Sequence, residues 1–135
     1  MRILIDTNVI LDIILERQPF VEPASRLLET AQHADIVLYV TATTITDLYY
    51  IIRKAKGRVT ALNFIVDLLQ FMEVATVDKA IIRAALHSDI VDFEDAVQEN
   101  AAKRQNIQVI ITRNEADFQN SVLEIHNPES FLKSL

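Results

Sequence analysis

Four places in this 135-residue chain combine an acidic side chain with the local pattern of a strand end or a helix start. Asp6 follows the apolar run in "RILIDTNVILD", and Asp47 lies in "TATTITDLYY". Asp92 and Asp95 lie in "VDFEDAVQ", and Asp117 lies in "TRNEADF". Taken singly, each fits a helix cap or a first helical turn, where exposed backbone N–H groups favour a carboxylate by about 0.3–1 kcal/mol. Thr44 with Asp47, Asp92 with Asp95 and Asn114 with Asp117 all show capping-box spacing. Taken together they ask for more, because Ser or Asn caps a helix as well as Asp does. Carboxylates gathered within a few ångströms repel one another unless a hard cation sits between them. Mg2+ or Mn2+ takes oxygen ligands, keeps several waters and needs only a few aspartates. Such an ion activates water and stabilises charge on a phosphodiester.

The elements that would gather these acids follow from the apolar periodicity. Strands are expected at 2–5, 36–40, 73–77, 109–112 and 122–125. Helices are expected at about 8–16, 23–33, 44–56, 59–71, 79–88, 94–105 and 129–134. The first, second and fourth strands are unbroken apolar runs, which suits strands covered on both faces. The alternation predicts an α/β fold with a parallel sheet between helical layers, and a polar-flanked last strand at an edge. In such sheets ligands bind beyond the carboxyl ends of the strands. Asp6, Asp47 and Asp117 follow strands there, and Asp92 and Asp95 start a helix returning from that edge. Three-residue spacing sets Asp92 and Asp95 on one face and turns Glu94 aside. Asp12, Asp35, Asp67, Asp78 and Asp89 read as caps or solvated surface.

Composition narrows the alternatives. Half the residues are hydrophobic and 24% are charged, as in an ordinary folded domain, and the length suits one domain spanning 1–135. The absence of cysteine excludes disulfides, thiolate metal sites and thiol nucleophiles. A single glycine, Gly57, excludes Gly-rich phosphate loops. No secretory signal or membrane-length apolar run is visible, so a cytoplasmic protein is expected. The net charge of −6 argues against indiscriminate adhesion to nucleic acid. It leaves room for a nuclease whose acids collect cations.

"LIDTNVILD", "TTITDLYYIIRK" and "DFEDAVQENAAKRQNIQVIITRNEADF", in that order, resemble the PIN domain family, and the small bacterial VapC-type ribonuclease toxins most of all. The resemblance implies a three-layer α/β/α sandwich with a five-stranded parallel sheet ordered 3-2-1-4-5. It also implies a metal-dependent endoribonuclease using Mg2+ or Mn2+. On this pattern Asp6 is the first acid, Asp95 the third and Asp117 the fourth, and these three would hold the metal. Asp47 stands where the family usually has glutamate. Being one methylene shorter, it would complete the metal shell or sit just outside it. Asp92 is a neighbour that would share the site, and Asn8, Thr112 and Asn114 match small polar positions lining the same pocket. Arg113, beside the pocket, is the candidate for touching a phosphate.

The resemblance further implies an RNA substrate, an antitoxin partner and a homodimer. A PIN-like domain without activity, acting as a binding or assembly module, is the alternative; the retained acids oppose it and the shorter Asp47 keeps it open. A phosphoacceptor receiver domain would need an acidic pair after the first strand, where Asp6 stands alone. His33, His87 and His126 fall in unrelated segments and read as surface or structural. Arg53 and Lys54 suit a helix C-terminus, whereas Lys56 and Arg58 are open to phosphate contact. Tyr49 and Tyr50 sit at core-like spacing. Leu11, Ile14, Leu15 and Phe20 are either core or interface.

Overall fold

The computed structural model describes residues 1–135. Five strands form one parallel sheet: β1 (Arg2–Ile5), β2 (Val37–Thr41), β3 (Met72–Ala75), β4 (Val109–Ile111) and β5 (Glu124–His126). Their spatial order is β3-β2-β1-β4-β5, as the family resemblance implies. The helices are α1 (Thr7–Ile14), α2 (Val21–His33), α3 (Ala42–Lys56), α4 (Arg58–Phe71), α5 (Lys79–Leu86), α6 (Phe93–Arg104) and α7 (Pro128–Ser134). No helix is long and apolar enough to cross a membrane.

The three layers follow from alternation along the central strands. Ile3 and Ile5 of β1, Leu38 and Val40 of β2, and Val109 and Ile111 of β4 face one core, shared with α1, α2, α3, α4 and α7. Leu4, Tyr39 and Ile110, the residues between them, face the other core, shared with α5 and α6. These runs are apolar throughout because both faces are covered. Register holds the layers level: Leu4 lies opposite Tyr39 on one side and Ile110 on the other.

Several boundaries differ from the periodicity for identifiable reasons. The third helix starts at Ala42, two residues early, because Thr41 rather than Thr44 is its cap and accepts a hydrogen bond from the Thr44 amide at 3.2 Å. The segment after β4 forms a short 3-10 turn (Glu115–Phe118) in which Asn114 makes no side-chain cap, so its expected capping pair with Asp117 does not form. Asp78 caps α5 as expected, accepting from the Ile81 amide at 3.0 Å. Leu11 is buried, Ile14 and Leu15 pack against the same core, and only Phe20 stays largely exposed. Tyr49 packs on that core, whereas Tyr50 points to solvent.

Asp12 is the clearest departure. Expected at the surface, it is only 1% exposed and lies between Arg113, Nε to Oδ2 at 2.7 Å, and Arg17 at 3.7 Å. Burial raises its pKa, and the Arg113 guanidinium opposes that rise.

Candidate functional site

The chain passes from β1 outward to β2 and β3, then crosses back to β4 on the other side of β1. The carboxyl ends of β1 and β4 therefore flank the topological switch point, where a crevice is expected. Asp6 emerges there from β1, its amide donating to the Ile111 carbonyl at 2.9 Å. It occupies the N-cap position of α1 with extended backbone, yet its side chain makes no capping bond. The Thr112 hydroxyl donates to Asp6 Oδ2 at 2.8 Å and the Gln98 amide donates to Oδ1 at 2.9 Å. An ionised carboxylate has about four acceptor sites. Two are used at the protein side of this buried group, and it still lines the cavity. The position of Asp6 is thus explained by the pocket rather than by the helix.

That cavity has a volume of about 390 Å³. Six carboxylates line it: Asp6, Asp47, Asp92, Glu94, Asp95 and Asp117. Asn8 and Asn114 also line it, while Thr112 reaches it through Asp6 and by accepting from the Asn114 amide at 3.0 Å. Only two lining residues, Leu11 and Ile51, are apolar. Three helices start at this edge. The beginnings of α1 and α3 are joined by the Thr7 and Thr44 hydroxyls at 2.9 Å, which fixes the turn before Asp47. At the start of α6, Asp92 caps the helix by accepting from the Asp95 amide at 3.0 Å.

Electrostatics mark the same cup. Burial, followed by the negative charges of Asp92, Asp6 and Asp117, raises the Asp95 pKa to about 7. Glu94 is also raised to about 7, first by its hydrogen bond with Asp47, then by burial and by the charges of Asp47, Asp92 and Asp6. Like charges crowding one half-dry space are the common cause. No three of the acids stand close enough to form a ready coordination cluster. The donor set nevertheless suits a hard divalent ion, being all oxygen and heavily anionic.

Two site assignments change. Glu94 is not turned aside: it lines the cavity and bonds with Asp47. Arg113 does not face the acids. It pairs with Asp12, and its guanidinium carbon lies 4.1 Å from the centre of the Phe20 ring, beside a separate cavity. Burying Asp12 demanded a cation, and Arg113 met that demand. Gln98 was missed; the signal was its position one turn after Glu94 on the helix that carries Asp95. His126 is structural, contacting Ser130 and Glu124.

A doubly wound parallel sheet with an acidic cup at its switch point defines the class of this protein. The PIN domain family model matches residues 2–116, and the chain belongs to that family. No curated protein matches it. Among solved structures it is similar in fold to VapBC2 from Rickettsia felis bound to a DNA fragment from the promoter. That match has 16% identity and a TM-score of 0.75, and covers 94% of this chain and 98% of that one. VapBC-1 from nontypeable Haemophilus influenzae is similar at 17% identity and a TM-score of 0.70, covering 96% and 99%. Mycobacterium tuberculosis VapC20, a toxin that cleaves the Sarcin-Ricin loop, is similar at 17% identity and a TM-score of 0.65, covering 80% and 86%.

Proposed function

We propose that this PIN domain is a metal-dependent endoribonuclease, the toxin of a toxin–antitoxin pair. The observation that carries the reading is the meeting of Asp6, Asp95 and Asp117, remote in sequence, on one cavity at the switch point. The solved VapBC assemblies and the RNA-cleaving toxin VapC20, similar in fold, support an antitoxin partner and an RNA substrate. An RNA substrate accords with the expected cytoplasmic location.

Asp6, Asp95 and Asp117 would hold Mg2+ or Mn2+, with Asp92 close by. When bound, the ion would supply a Lewis acid that lowers the pKa of a water and stabilises charge on the phosphate. Asp6 is fixed for this by Gln98 and Thr112, so its geometry is set before any ligand arrives. Glu94 reaches toward Asp47 and supplies the length that Asp47 lacks. With its pKa raised to about 7, the Glu94 carboxyl is suited to accept the proton of the attacking water. The water oxygen forms the new P–O bond, the bridging P–O bond breaks, and its electron pair leaves with the departing nucleotide oxygen. Asn8 and Asn114 offer amide donors to a phosphate at the rim.

The test compares RNA cleavage by the wild type with that by Asp6→Asn and Asp95→Asn, with added manganese and with chelator. Both variants should fold and neither should cleave. Equal cleavage by all three, or indifference to chelator, would overturn the assignment.

A further inference from the structure

A second groove, with a volume of about 500 Å³, opens beside the acidic cup. Asp92 and Asp117 line both, so the two spaces share a wall. Val91 and Phe93 form the apolar side of the groove, 96% and 48% exposed. Phe93 opens α6 and joins neither core, so core packing does not explain an aromatic ring at this position. Gln119 and Asn120 form the polar side. The Asn120 amide donates to the Asp89 carbonyl at 3.1 Å, tying the segment after the 3-10 turn to the loop before α6. That bond joins the two walls and leaves the Asn120 carbonyl oxygen as an acceptor.

We propose that this groove seats one nucleobase of the substrate RNA, its ring stacked on Phe93 and its edge bonded by Gln119 and Asn120. The proposal rests on the nuclease reading, which puts the reacting phosphate at the cup next door. Continuity with the cup places the base on a nucleotide flanking the bond to be cut.

Three observations select a base over the other parts of an RNA chain. The shared walls, Asp92 and Asp117, are carboxylates and repel a second phosphate. Ribose offers no flat π face to cover a phenyl ring, whereas every base does. Side-chain amides beside that ring match the donors and acceptors along a base edge. Unpaired RNA bases are held in this way, by stacking on an aromatic side chain and hydrogen bonding at the edge. Phe93 thereby becomes a substrate-positioning residue, one position before Glu94 and two before Asp95 on the same helix.

The test uses an RNA cut at one mapped bond in manganese, and copies of it lacking the base on either flanking nucleotide. Removing one of those bases should lower kcat/KM of the wild type about 10-fold. Phe93→Ala should lose about the same factor on the intact RNA and nothing further on that abasic RNA. Phe93→Tyr, which keeps the ring, should cleave like the wild type. Both variants should keep the native circular dichroism spectrum, because the ring lies outside both cores. Wild-type cleavage of intact RNA by Phe93→Ala would overturn the proposal, and so would an equal loss on intact and abasic RNA, the mark of a merely structural role. Anisotropy of a labelled single-stranded RNA, titrated in calcium, separates this proposal from the reading beneath it. A wild type that binds the RNA about 10-fold more tightly than Phe93→Ala but never cleaves it would sink the nuclease reading and keep the groove. Equal binding by the two proteins, or no binding by either, would overturn the groove whatever the cleavage result.

Discussion

Asp95→Asn should make the metal-free protein more stable while it abolishes cleavage, and the gain should depend on pH. Burial and the charges of Asp92, Asp6 and Asp117 hold the Asp95 pKa near 7, against an ordinary 3.8. Between those values the folded state binds more protons than the unfolded chain, so stability falls as pH rises through the window. The loss is complete above pH 7 and absent near pH 4. Three pKa units at 1.36 kcal/mol each give a ceiling of about 4 kcal/mol. Asp95 is partly solvated, and screening reduces this to about 1–2 kcal/mol. For a domain of this size that is roughly 3–10 °C in Tm. Asparagine does not titrate, so its advantage should be near zero at pH 4 and should grow to that value by pH 8. Thermal unfolding followed by circular dichroism in chelator, wild type against variant across this range, reads the difference directly. Manganese at 100 times its Kd should return about 3 kcal/mol to the wild type at pH 8, and much less to the variant. A difference that stays flat with pH, or a variant that is the less stable at pH 8, would refute the electrostatic account of the cup.

Arg113→Ala strips the main partner from a buried carboxylate and should cost about 3–5 kcal/mol in urea unfolding at pH 7. Arg113→Ala with Asp12→Asn should recover much of that loss, since no charge is left buried. Thr112→Val removes the hydroxyl on Asp6 Oδ2 without changing side-chain volume. It should lower the RNA cleavage rate and weaken manganese binding in titration calorimetry while the circular dichroism spectrum stays native.

Hydrophobic period decided most of the fold in advance. Strands β1, β2 and β4 announced themselves by apolar runs, because each is covered on both faces. The carboxyl edge then followed from chain direction alone. What periodicity could not supply was the direction of individual polar side chains. Spacing sets Glu94 apart from Asp92 and Asp95 at the helix start, yet it lines the cavity beside Asp47. Gln98 looked like a helix-surface amide and proved to be the buried partner of Asp6, 92 residues away. Thr41 displaced Thr44 as the cap because the β2 strand ends one residue later than its apolar run. Each of these turns on a tertiary neighbour, which local spacing does not encode.

Arg113 shows how a residue can serve the site while facing away from it. Thr112 and Asn114, its neighbours on either side, both turn toward the acids. Arg113, in the bend between them, leaves on the opposite side, where Asp12 and Phe20 receive it. Asp12 belongs to α1, the helix that begins directly after Asp6. The buried pair therefore clamps the segment leaving β4 to the helix leaving β1, the two segments that carry Thr112 and Asp6. Thr112 makes its 2.8 Å bond to Asp6 between these two segments, beside the backbone bond from the Asp6 amide to Ile111. Loosening the clamp should disturb the cup through the Asp6 carboxylate before any acid is itself altered. The double variant at Arg113 and Asp12, stable but unclamped, should for that reason cleave RNA more slowly than the wild type.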